Sequence, residues 1–155
     1  MTAQLPENLI SPKVKLYDRD FYLWLKTTID KLRENNFSEI DLPNLIEELE
    51  SMGRSEKQAL ESNLQIVLIH LLKYKYQPER RSNNWRFTIL EHRDRLETAL
   101  ENSPSLKSYF CEVFDKSYAK ARKKAATETG LSIDTFPVKS PFTPEETLNP
   151  DYLPE

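Results

Sequence analysis

Residues 64–72 read Leu64-Gln65-Ile66-Val67-Leu68-Ile69-His70-Leu71-Leu72, an apolar run interrupted only by Gln65 and His70. At about 100° per residue these side chains cover almost the whole circumference of a helix. A helix that is apolar nearly all round is enclosed by others. The flanking pattern predicts that it runs from Ser55 to about Tyr76. The apolar run is too short to span a bilayer, which takes about 20 such residues, so it reads as the central rod of a helical bundle. One polar line crosses the rod. Glu56, Asn63, His70 and Gln77 are spaced by sevens and drift only about 20° per step along one face. Buried polar groups find partners or cost about 1–3 kcal/mol each. An internal hydrogen-bond network is the plainer reading of this line, and a water- or ligand-filled groove is the other.

Composition narrows the class. At 155 residues the chain is long enough for one domain with a real core. A net charge of −3 speaks against wholesale attraction to nucleic acid or membranes, though not against a local patch. The single Cys111 excludes an intramolecular disulfide framework and offers no zinc pattern. Met1 to Lys15 has neither an apolar core nor a positive leader, so no signal peptide is expected and a reducing cytoplasm is the default. Only Gly53 and Gly130 supply glycine, which leaves little room for tight hairpin turns.

Outward from the rod, the apolar period continues. Phe21, Trp24, Leu25, Ile29 and Leu32 predict an amphipathic first helix from Asp18 to about Asn36. Asp41 is a good N-cap for a second, with Pro43 in its first turn and Leu42, Leu45, Ile46, Leu49 and Met52 on one face. An unbroken helix from Asp41 to Tyr76 would be about 54 Å long. A stop at Gly53 and a fresh start at Ser55, where Ser55-x-x-Gln58 fits a capping box, is the preferred reading. Pro78 ends the rod. Ser82 caps a fourth helix carrying Trp85, Ile89, Leu96, Ala99 and Leu100. Ser103-Pro104 opens a fifth, carrying Leu106, Phe110, Val113, Phe114, Ala121 and Ala125, with Gly130 as its stop. Beyond it Leu131, Ile133, Phe136 and Phe142 lie scattered among prolines. The expected organisation is an irregular arm over 1–16, an up-and-down bundle of about five helices over 17–130, and an extended strap over 131–155 with one helical turn begun at Thr143.

Two groups could carry chemistry. Glu47, Glu48, Glu50 and Glu56 suggest a hard-cation site and a metal-dependent hydrolase of nucleotides or nucleic acid. With a turn at Gly53, Glu50 and Glu56 would meet at one end of adjacent antiparallel helices. Glu47 points away, His70 lies about 21 Å from Glu56 along the helix, and a solvated charged face explains the cluster more simply. The second group is residues 70–86. Lys73, Lys75, Arg80, Arg81 and Arg86 set five positive charges against Glu79, with Tyr74, Tyr76 and Trp85 interleaved. Such a corner, with His70 and Gln77 beside it, could hold a phosphate backbone or an acidic protein. A structural corner, with Trp85 in the core and the arginines paired, is its bland counterpart. Cys111 reads as packing filler.

The order of several motifs adds a resemblance. Tyr17-x-x-Asp20-Phe21-x-x-Trp24, Leu45-x-Glu47-Glu48-x-x-x-Met52-Gly53-x-Ser55-Glu56 and His70-Leu71-Leu72-Lys73 follow one another. After them come Gln77-Pro78-x-x-Arg81-x-x-x-Trp85, Glu128-Thr129-Gly130-Leu131 and Phe136-Pro137. Together they resemble the bacterial and cyanobacterial domain of unknown function family 29. The resemblance implies an all-helical fold and a bacterial, cytoplasmic protein, and it supplies no activity. The leading expectation is therefore a non-catalytic interaction module that binds nucleic acid or an acidic protein through His70, Lys73, Gln77, Arg81, Trp85 and Arg86. The rival is the hydrolase with Glu48, Glu50 and Glu56 as metal ligands. No cofactor and no membrane contact is expected, and the amphipathic first and fifth helices leave homodimerisation open.

Overall fold

The computed structural model describes residues 14–155. The irregular arm expected over 1–16, and the leader region with it, lie outside the described residues as far as Lys13. Among the described residues there are helices and no strands, as expected. The α-helices are α1 (Leu16–Arg19), α2 (Phe21–Arg33), α3 (Leu42–Tyr76), α4 (Asn83–Asn102), α5 (Leu106–Thr129) and α6 (Pro144–Leu148). Single 3-10 turns stand at Phe37–Glu39, Pro78–Arg80 and Ile133–Thr135.

The stop expected at Gly53 does not occur. Residues 42–76 form one continuous helix of 35 residues. Gly53 has ordinary helical backbone, and the left-handed glycine of the chain is Gly130 at φ 73°. One interior glycine costs about 1 kcal/mol relative to alanine. A break would forfeit several backbone hydrogen bonds and require a second costly nucleus. Continuity is the cheaper solution, and Ser55-x-x-Gln58 is simply helix interior.

Local signals set the other ends. Asp20, at φ −151°, accepts from the Leu23 N–H and splits the expected first helix into α1 and α2. The Ser82 hydroxyl accepts from the Trp85 N–H at 3.2 Å. Ser103 closes α4 rather than opening α5, which starts two residues later than expected, at Leu106 after Ser105. Thr143 and Glu146 form a reciprocal capping box on α6.

The chain divides into two compact units, residues 1–52 and 53–155. In the first, Tyr17, Phe21 and Trp24 form a ring cluster with centroids 4.9–5.8 Å apart. Tyr17, just before α2, donates to Glu48 at 2.5 Å. Lys31, near the end of α2, donates to the Glu39 carbonyl at 2.9 Å. The helix α2 and the first third of α3 therefore run antiparallel, as a hairpin.

The second unit holds the large core. Leu60, Leu64, Val67, Leu68, Leu71 and Leu72 of α3 are fully buried. They pack with Ile89, Leu96 and Leu100 of α4 and with Phe110, Phe114, Tyr118 and Ala121 of α5. Phe136 and Phe142 from the C-terminal segment belong to the same core. Tyr118 donates to the Pro137 carbonyl at 2.6 Å and Arg122 to the Phe136 carbonyl at 2.8 Å, fastening that segment to α5.

Candidate binding corner

The polar line on α3 resolves residue by residue. Glu56 is exposed. The Asn63 amide donates to the Ala59 carbonyl at 2.9 Å, so its oxygen is the acceptor for His92 Nδ1 at 2.7 Å. His70 Nδ1 donates to the Ile66 carbonyl at 2.9 Å. Both neutral imidazoles thus carry their proton on Nδ1 and their lone pair on Nε2. Burial pushes both rings below their ordinary histidine range, more than the opposing contacts restore it. Gln77, at the end of the line, is buried. No buried side-chain nitrogen or oxygen among the described residues lacks a partner. The middle of the line is a bonded network.

Beyond His70 the corner is made by the end of α3, the Pro78 turn and the start of α4. Pro78 removes the backbone donor that would continue α3, and Ser82 restarts the chain in helix four residues later. The fold brings Lys73, Tyr74, Arg81, Trp85 and Arg86 together. Lys73 is only 7 % exposed, and its ammonium meets Glu128 of α5 at 2.6 Å and lies 4.6 Å from the Trp85 ring centre. Its charge is consumed within the fold.

The arginines are held differently. Arg81 lies 4.3 Å over the Tyr74 ring, donates to the Tyr74 carbonyl at 2.8 Å and reaches the Pro154 carbonyl at 3.4 Å. Arg86 donates twice to the Tyr74 hydroxyl, at 3.3 and 3.1 Å, with its guanidinium 5.9 Å from the same ring. Every one of these partners is neutral. Among the described residues no carboxylate pairs with either guanidinium, whereas Lys73, Arg95 and Arg122 each have one.

The glutamate group is arranged otherwise than its hydrolase reading required. Because α3 is continuous, Glu48, Glu50 and Glu56 are strung along one helix and do not face each other across a turn. Among the described residues no three His, Cys, Asp or Glu side chains are grouped to hold a metal ion. Glu48 accepts the Tyr17 hydroxyl, which pushes that phenol up to about 12.

Arg93 lies outside the corner expected from the sequence and has a central place in the structure. It is 3 % exposed and donates to the carbonyls of Thr147, Tyr152 and Glu146 at 2.8–3.1 Å. Burial lowers its guanidinium to about 10, which still leaves it charged at neutral pH. The signal was present. Ile89, Arg93, Leu96 and Leu100 share one stripe of α4, and an arginine in such a stripe must find acceptors.

Comparison with known proteins gives one result. A family model described as domain of unknown function DUF29 matches residues 16–153. No curated protein and no solved structure matches the chain.

Proposed function

The chain belongs to the domain of unknown function family 29, a description that carries no activity, and from the geometry we propose that it is a non-catalytic interaction module binding an acidic protein segment at the Tyr74–Arg81–Arg86 corner. The observation that carries this reading is the pair of guanidiniums pinned to one tyrosine by neutral groups alone. Fixed in place but not neutralised, they present positive charge at little further entropic cost to a carboxylate, which arginine recognises in a bidentate fork. Arg80 and Lys75, on the adjoining turn and helix end, extend the field.

Nucleic acid is the second reading, and it is less well supported. The Trp85 face is taken by Lys73 and the buried Tyr74 by Arg81, so neither ring is free to stack a base. The chain's net charge is negative as well. The family resemblance supports a bacterial setting, cyanobacteria included, and a cytoplasmic one. No helix among the described residues is long and apolar enough to cross a membrane.

Fluorescence anisotropy on the full chain tests the proposal with a labelled poly-glutamate peptide and a single-stranded oligonucleotide of matched charge. The peptide should bind in a salt-sensitive manner. Arg80→Glu with Arg86→Glu should weaken it by about tenfold or more, near 1.4 kcal/mol. Peptide binding that ignores both reversals would overturn the reading. Tighter binding of the oligonucleotide would replace it with the nucleic-acid one.

A further inference from the structure

The first unit leaves apolar side chains bare in a pattern. Phe21, Ile29 and Leu32 on α2 and Leu42, Ile46 and Leu49 on α3 are each between 40 and 59 % exposed. At 100° per residue each trio forms one stripe, and on α2 that stripe lies beside the buried Trp24 and Thr28. Along α3 the stripe of Leu42, Ile46 and Leu49 resumes at Leu60, Leu64, Val67 and Leu71, all of them fully buried. One helix thus carries two apolar stretches in the same register, parted by Gly53, Glu56 and Lys57, of which the second is covered and the first is bare. Single exposed leucines are ordinary, but a contiguous face is not.

We propose that this face of the α2–α3 hairpin is a dimerisation surface, occupied by the same face of a second copy of the chain. Area is the first argument. Six half-bare large side chains expose on the order of 500 Å² of apolar surface. Leu25, Met52 and the polar flanks bring the face near the roughly 800 Å² per partner that a stable dimer buries. Charge is the second. On the flank away from Trp24 and Glu48, α2 carries Lys26 and Arg33 and α3 carries Glu50, all exposed. A two-fold axis through the face sets α2 of each copy against α3 of the other, so that basic flank meets acidic flank twice. Two hairpins joined in this way make a four-helix arrangement, the ordinary means of burying two such stripes.

Sedimentation velocity on the full chain tests this. The wild type should sediment at twice its 18.2 kDa. Ile46→Asp should give the monomer with unchanged helical circular dichroism. Glu50→Lys should weaken association by several-fold, and adding Lys26→Glu should restore it. Because Lys26 and Glu50 are exposed, that pair decides the matter even if Ile46→Asp disturbs folding. A wild-type monomer overturns the proposal. Radical footprinting of Met52 then separates a face that is simply bare from one covered by the chain's own residues, such as 1–13. A dimer indifferent to both Ile46→Asp and the charge swap overturns it too, since its interface lies elsewhere.

Discussion

His70 shows how much a single residue depends on its surroundings. Its Nδ1–H is bonded to Ile66, and burial together with the nearby Lys73 holds the ring below the ordinary 6.5. The unfolded chain therefore takes up a proton at a higher pH than the folded chain does. Stability is then complete above about 6.5 and is lost as the pH falls through the lower, folded value. His92 acts in the same direction, and less strongly because it is more exposed to solvent. Urea midpoints should fall between about pH 7 and about pH 5. His70→Gln with His92→Gln should flatten that part of the profile, and an unchanged slope would mean that other groups carry it. Neither the tautomers nor the direction was legible in the sequence. The Asn63–His92 bond joins positions 29 residues apart.

The element that departs from its expected form is α3. Gly53 has open space where a Cβ would sit and an ordinary helical φ, whereas Gly130 holds φ 73° at the end of α5. The two glycines should therefore answer in opposite senses. Gly53→Ala should stabilise by about 0.5–1 kcal/mol, through helix propensity. Gly130→Ala should destabilise by about 1–2 kcal/mol, because alanine resists the left-handed conformation. Thermal denaturation of the two variants side by side checks both, and a destabilised Gly53→Ala would argue that the helix is not continuous there. Gly130 could be read as a stop because the apolar period ends before it. Gly53 sits inside a register that resumes beyond it, and the capping-box pattern at Ser55 together with the length of an unbroken helix suggested a break.

Across the molecule, the C-terminal segment belongs to the core of the second unit. Phe136 and Phe142 are buried with α3, α4 and α5, and Arg93 binds three carbonyls on residues 146–152. Arg93→Met keeps most of the volume but leaves three carbonyls short of a donor, that of Thr147 buried and the other two partly buried. The expected cost is about 2–4 kcal/mol. Amide exchange should quicken first in residues 143–154, and Arg93→Lys should recover only part of the loss because it lacks the planar fork. Exchange that quickens evenly over all elements would show that Arg93 serves the core at large and does not specifically fasten this segment.

The sequence by itself determined the helices, the enclosure of residues 64–72 and most of the stops, since periodicity, Ser82, Pro78, Thr143 and Gly130 act within a turn or two of chain. It also assembled the right neighbourhood around Tyr74 and Trp85. Only the tertiary structure decided which charges there are spent. Lys73 is paired with the carboxylate of Glu128, 55 residues away, whereas Arg93 is solvated, still charged, by carbonyls more than 50 residues on, and Arg81 and Arg86 meet neutral groups alone. The same holds for the stripe on α3, which resumes at Leu60 in the register it had at Leu49, while its cover changes. Local pattern says that a face is apolar or a side chain is charged, but what comes to lie against it depends on how distant segments are brought together.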